Sequence, residues 1–567
     1  MFQDMNYIDG VARALKTIGS LYGIMGKIPE EIQYLEKSRK IFQQLNFQRE
    51  VACLTLRIGI LNYNYLSETK EGLKQILDSL TIFESINDKQ GIAVALNFLG
   101  NLYTWLGELD RGLGFLQRSM FSSERLGNME NLSLTLNNIG WNHHTRGELD
   151  LALESLNRSL TLSREKQFPW ILIWTLSNIG FVNQAKSDFD TACGYYTQSI
   201  NVSDDINDYL ACSWSLYHVI KLTLDTNSLT NTKAYIERLE KSSNRYQLTL
   251  MSQMFRVSEA LILKKSNRLR DKAKAQELLE NVANEKVRAL EVTADAIINL
   301  CDILLFEYKI SADTTVLKEL EELSDRFLVI AEEQNSHSLL SEGYLLKSEI
   351  ALLLDDIPLA KRLIDQAQTI AEEKGLQKLA IAISREYDAI MDQINTFDIE
   401  TGNLEIRNEI EIEKVENLLD RMTTQNIAAV SRVVPEKPEM LLIITEGGMT
   451  LFTHHFNPEG NFKSQLVGGF LSAIESFSNE VFSSSIERVK LGEYRLIFHS
   501  YLFLTFAYVF KGESYSAIKK MKALISSLES ADDIWTSIKE NINTGKLLSD
   551  KEESVIINYI QKIFPLT

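Results

Sequence analysis

The sequence predicts a mostly helical protein: an α-solenoid of about nine or ten helical hairpins over residues 1–400, joined through 401–436 to a small α/β domain over 437–567. Three observations predict it. An Ile/Leu-Gly pair recurs at Ile18-Gly19, Ile58-Gly59, Leu99-Gly100, Ile139-Gly140 and Ile179-Gly180, so the glycines lie 40, 41, 40 and 40 residues apart. A fixed period of that size marks one supersecondary unit stacked repeatedly, because a single unit cannot bury its apolar face alone. Helix breakers are scarce, with 7 prolines and 27 glycines in 567 residues, while 45% apolar and 24% charged residues are ordinary for a globular chain. Composition then changes after Gln425, where VVPEKPEM (Val433 to Met440) separates helical from strand-like patterning.

Aligned on the glycine, the third and fourth units read LNFLGNLYTWLGELDRGLGFLQRSM and LNNIGWNHHTRGELDLALESLNRSL, and the fifth LSNIGFVNQAKSDFDTACGYYTQSI. Apolar residues at i, i+3, i+4 and i+7 give a first helix, a short polar turn follows, and a second amphipathic helix begins. Gly112, Ala152 and Ala192 lie twelve residues after the glycines, a serine recurs at Ser38, Ser79, Ser119, Ser159 and Ser199, and bulky Leu116, Leu156 and Tyr196 fill the space between hairpins. With these positions the chain resembles the tetratricopeptide repeat family in its longer version of about 40 residues. The resemblance is strong over 1–205 and implies a right-handed superhelix with the first helix of each hairpin on its concave face. Tyr22 and Tyr103 keep the family's aromatic after the glycine, whereas Asn62, His143 and Asn183 replace it. Glu31 and Glu71 stand where the family prefers Ala, which predicts looser packing at the N-terminal end.

Past residue 220 the repeat degrades, although helical periodicity continues to about Ile394, with two long helices around an Asp-Asp-Ile-Pro turn between Ser341 and Ile390. Asn403 to Gln425 reads as a charged amphipathic helix. After the Pro-containing linker come a strand at Leu441–Thr445, a Glu446-Gly447-Gly448 turn and a partner strand at Met449–Phe456. A long amphipathic helix is expected over Asn461–Phe482. Three strands follow near Ser485–Leu491, Tyr494–His499 and Leu502–Phe510, then helices over Tyr515–Leu528 and Lys551–Phe564. The apolar stretch Tyr494–Phe510 is 17 residues long and rich in Phe, Tyr and β-branched types, so two buried strands are expected and no membrane span. This order, with phrases such as LLIITEGGMTLF, GGFLSAIESF and FAYVFKGESYSAI, resembles the longin and roadblock-like group of small α/β domains, with a five-stranded antiparallel sheet. The Pro-rich linker after the preceding helix favours longin over roadblock, and a sheet-based sensor domain shares the central sheet.

The formal charge of −18 argues against nucleic-acid binding, which needs basic stripes. Residues 437–567 carry 13 Lys+Arg and 15 Asp+Glu, so nearly all of the excess lies in the helical part. Cys53, Cys193, Cys212 and Cys301 form no CxxC pair and read as small buried residues of a reducing, cytoplasmic setting. No basic region precedes an apolar run at the start, so no signal peptide is expected. The Gly-Gly pairs lack phosphate-loop spacing, no catalytic motif is found, and no cofactor is expected. His143-His144 point about 100° apart on a helix and make a poor chelate. His454, His455 and His499 fall on strands without a suitable acidic or Cys partner, which favours a structural role over a metal site.

By the family's register, positions three before, one after and four after the glycine face the groove. They hold Asn97, Asn101 and Thr104, then Asn137, Trp141 and His144, then Ser177, Phe181 and Gln184. Carboxamides can satisfy both donors and acceptors of an extended backbone, and aromatic rings supply area for a side chain. Asn97, Asn101, Asn137, Trp141, His144, Phe181 and Gln184 are therefore the candidate peptide site, with packing between hairpins as the competing role. The expected function is a non-enzymatic scaffold whose groove grips a peptide or protein segment. The longin resemblance implies a second partner at the sheet domain, such as a small GTPase or a longin-type domain. The alternative is a cytoplasmic receptor that senses a peptide or small ligand and regulates an effector. An exposed sheet edge would also allow a homodimer.

Overall fold

The computed structural model describes residues 2–397, 436–456, 488–538 and 548–564, apart from 66–67, 227–228, 247, 312, 355, 446–448, 503, 532–534 and 537. The helices expected at 403–425 and 461–482 and the turn at 446–448 lie outside the described residues. Among the described residues, nine hairpins pair α1 (Phe2–Ile24) with α2 (Ile28–Gln44), α3 (Gln48–Tyr65) with α4 (Thr69–Ser85), α5 (Lys89–Trp105) with α6 (Leu109–Leu126), α7 (Met129–Arg146) with α8 (Leu149–Glu165) and α9 (Pro169–Ala185) with α10 (Phe189–Asp205). They continue as α11 (Tyr209–Asp225) with α12 (Leu229–Tyr246), α13 (Thr249–Lys264) with α14 (Leu269–Asn284), α15 (Leu290–Ser311) with α16 (Thr314–Glu333) and α17 (His337–Leu353) with α18 (Ile357–Glu373), before α19 (Gln377–Phe397).

Local chemistry explains why the hairpins repeat. A left-handed residue ends the first helix of several units seven positions after the repeat glycine: Gly26, Gly107, Gly147 and Ser187, at φ between 62° and 86°. Asp88, Asn128 and Asp208 cap the first helices of the hairpins that follow them, and Asp188 caps the second helix α10, each by accepting a backbone N–H three residues on. Within a hairpin the helices touch closely: a Cβ on Gly100 would sit 2.5 Å from Leu116 and 2.8 Å from the Gly112 carbonyl. Glu31 is buried beside Gly23 and paired with Arg57 at 3.0 Å, so its larger side chain occupies the space an Ala would leave.

The described residues divide into two compact units after Leu379, inside α19 and ahead of residue 400. In the first unit the array curves back on itself. The His337 N–H donates to the Leu106 carbonyl at 3.1 Å, Thr69 Oγ1 donates to Gln334 Oε1 at 2.8 Å, and Gly26 packs on Leu248. The turns of the first three hairpins thus meet the seventh to ninth.

The second unit holds β1 (Lys437–Thr445), β2 (Thr450–His455), β3 (Arg488–Leu491), β4 (Tyr494–Tyr501), β5 (Leu504–Lys511), α20 (Ser514–Glu529) and α21 (Asp550–Ile563), close to the bounds expected from sequence. The sheet order is β2-β1-β5-β4-β3 with every neighbour antiparallel, and Leu442 sits opposite both Thr453 and Ala507. Alternation sends Leu441, Ile443, Phe506, Tyr508 and Phe510 into one core with Leu524, Leu528, Ile556 and Ile560, and Leu442, Ile444, Leu496 and Val509 into the other. Central β5 is buried along its apolar run, as a strand covered on both faces must be. Asp388 of α19 ties that helix to the sheet, pairing with Arg488 at 3.2 Å and Arg495 at 3.5 Å and accepting the Ser514 N–H at 3.1 Å.

Candidate functional site

Odd-numbered helices pack on one another in series, α3 on α5, α5 on α7, α7 on α9, α9 on α11, α11 on α13 and α13 on α15, while even-numbered helices make no comparable contact among the described residues. The odd layer therefore lies on the inside of the curve, and it carries the positions assigned to the groove. Those residues divide into two groups.

The amides tie hairpins together. Asn97 and Asn137 are buried, and a ladder runs from Asn178 Nδ2 to Asn137 Oδ1 (3.0 Å), from Asn137 Nδ2 to Asn138 Oδ1 (3.2 Å) and from Asn138 Nδ2 to Asn97 Oδ1 (3.0 Å). Asn101 accepts from the Tyr63 hydroxyl at 2.8 Å and Gln184 from that of Tyr196 at 3.2 Å. Thr104 donates to the Gly100 carbonyl and accepts from Asn142, and Ser177 bonds Ser199 and Ser215. Their side chains serve inter-helix positioning.

The rings form a strip. Trp105 lies 5.6 Å from Trp141, Trp141 lies 5.0 Å from His144 and 5.4 Å from Phe181, and Phe181 lies 4.4 Å from His218, which stacks on Trp214 at 5.7 Å. Trp105 is 46% exposed; Trp141, His144, Phe181 and Trp214 are half-buried. A series of ring contacts thus crosses α5, α7, α9 and α11, passing through buried His218 between Phe181 and Trp214.

Where the strip ends, a charged cluster begins that sequence reasoning missed. Lys221 Nζ lies 2.6 Å from Asp295 Oδ2 and 3.5 Å from Glu291, the Tyr217 hydroxyl donates to Asp295 at 2.6 Å, and His218 Nδ1 is 3.7 Å from Glu291. Glu342 accepts from Ser338 at 3.1 Å and feels both Asp295 and Lys221. Burial would lower the Lys221 pKa, but Asp295 and Glu291 raise it above the ordinary lysine value. Burial, reinforced by Lys221, takes His218 down to about 3, so the ring is neutral at pH 7; burial lifts Glu342 to about 7. One more 40-residue step from Gly180 reaches Ile220, and the family offsets then select Tyr217 and Lys221. The missing glycine hid this signal.

Among the described residues no group of three or more His, Cys, Asp or Glu could hold a metal ion, and no helix is long and apolar enough to cross a membrane. Cys212 and Cys301 are buried, with burial raising both thiols, Cys212 to about 11, whereas Cys53 and Cys193 are half-buried.

Residues 91–165 match the family model described as tetratricopeptide repeat. No curated protein sequence matches the chain. Similar solved structures include a Rap protein complexed with competence and sporulation factor, 13% identical with a TM-score of 0.42, covering 63% of this chain and 87% of that one. Aspartyl phosphate phosphatase F from Bacillus subtilis is 10% identical, TM-score 0.39, covering 57% and 94%. A signal transduction ATPase with numerous domains and a tetratricopeptide repeat sensor, from Pyrococcus horikoshii, is 13% identical, TM-score 0.33, covering 66% and 50%. Tetratricopeptide repeats are thus matched over 91–165, and the hairpin geometry described above makes the helical unit an α-solenoid.

Proposed function

We propose that the protein is a non-enzymatic interaction scaffold whose solenoid binds an extended peptide or protein segment along the inner aromatic strip, while the sheet domain recruits a second protein. One observation carries the reading: rings on four successive inner helices, from Trp105 to Trp214, touch in series and are half-exposed apart from buried His218, which bridges Phe181 and Trp214. Rings left half-exposed in series offer the desolvated pockets in which binding energy concentrates. The resemblance to longin and roadblock-like domains extends the proposal to a small GTPase or longin-type partner at the sheet. The five antiparallel strands with α20 and α21 packed on one face support that extension. A second reading, a receptor whose occupancy regulates an effector, is favoured by the contact between distant hairpins, since a ligand on the inner layer can alter curvature.

Affinity capture with the full chain tests the first reading. Trp141→Ala with Phe181→Ala should weaken capture of the groove partner by about 2 kcal/mol or more. Unchanged capture by a variant with an unaltered circular dichroism spectrum removes both rings from the site. A small GTPase retained equally by both forms would belong to the sheet domain.

A further inference from the structure

The charges at the end of the aromatic strip do not balance. Glu291 and Asp295 of α15 share Lys221 of α11, Glu342 of α17 lies within electrostatic reach of Asp295 and Lys221, and His218 between them and the rings adds no charge because burial keeps it neutral. Asp295 already receives both Lys221 and the Tyr217 hydroxyl, and the Glu342 contact to Ser338 comes from its own helix. The surplus is negative, and it adjoins rings through the 3.7 Å His218–Glu291 approach and the 4.4 Å His218–Phe181 contact.

We infer that the groove selects an extended peptide carrying a Lys or Arg side chain, with the apolar stem lying along the Trp141–Phe181–Trp214 rings and the cation docking against Glu291, Asp295 and Glu342. This rests on the peptide-groove reading above and names the chemistry of its ligand. Charge complementarity selects the occupant. A cation on this surface gains from the carboxylates and from the ring faces together, whereas an acidic side chain would meet the Glu291 and Asp295 carboxylates, a half-ionised Glu342 and one already paired lysine. The position of Glu342 agrees: without an incoming cation, burial holds its proton near neutrality, and a docked cation would draw it into the ionised form. A chain of net charge −18 also steers basic segments toward itself.

The test uses the full chain immobilised and a synthetic library of extended eight-residue peptides, sequenced after selection at 0.15 M salt. Lys or Arg should be enriched about tenfold or more over Glu at one position. Glu291→Gln with Glu342→Gln should abolish that preference while the selected peptides remain bound, and Glu342→Lys should invert it toward Asp or Glu. The Gln pair and the Lys variant report independently, so misfolding of one leaves the other decisive. Peptides retained with no basic preference, or a preference unmoved in folded variants, overturn the inference and leave the groove in place. No peptide retained through Trp141 and Phe181 overturns both.

Discussion

Glu342 and His218 sit in one cluster and respond to burial in opposite directions, which gives this protein two separable pH dependences. Folded Glu342 keeps its proton up to about 7, while the unfolded chain releases it near the ordinary value of 4.5. Between those values the unfolded state binds fewer protons, so this group's contribution to stability falls as pH rises and levels off above about 7. His218 behaves conversely. The unfolded imidazole protonates below 6.5 and the folded one only near 3, so stability is full above 6.5 and is lost as pH falls through that interval. Urea unfolding at a series of pH values should show a flatter curve above pH 5 for Glu342→Gln and a flatter curve below pH 6.5 for His218→Phe. Parallel curves for variant and parent would reject either assignment.

At the scale of the element, the recurrent serine does more than leave room. Ser38, Ser119, Ser159 and Ser199 each donate from the second helix to a first-helix carbonyl 26 residues earlier, of Ala12, Ala93, Ser133 and Ile173, at 2.7 to 3.0 Å. The last hairpin reverses the direction, Ser341 donating to the Ala367 carbonyl across the same separation. Ser119 also meets Thr135 and Asn131, so Ser119→Ala should cost about 1–2 kcal/mol in chemical unfolding by leaving buried partners unsatisfied. A loss near zero would mean that size alone selects serine there. The hairpins were legible because close helix contact admits few residues at the glycine and serine positions. The left-handed residues between hairpins at 46, 87, 127, 167 and 207 hold the same period, but Asn, Gly and Gln share that backbone demand and conceal it. In the site, Trp141, His144 and Phe181 follow from register. Lys221 meeting Asp295 does not, because contact between helices two hairpins apart depends on the tightness of the curve, which no local pattern encodes.

For the whole molecule, the link from Leu106 to His337 changes how the array should lose its structure. An open solenoid behaves as a one-dimensional chain of neighbours, free to fray from either end and to melt in stages. Here the third hairpin is fastened to the ninth and the second to the end of the eighth, so loss of one segment removes support from others far along the sequence. Such long-range fastening turns stepwise melting into a concerted transition. His337 is the first residue of α17, where proline is tolerated, so His337→Pro deletes the N–H donated to Leu106 without breaking the helix. Combined with Thr69→Val, it should split one unfolding transition of the helical unit into two, seen by calorimetry together with tryptophan fluorescence from Trp105, Trp141 and Trp214. A single transition in the double variant would show that neighbour contacts and the remaining packing of Gly26 on Leu248 suffice. The fastening makes the unit behave as a ring rather than a ribbon, with cooperativity that repeat architecture by itself does not supply.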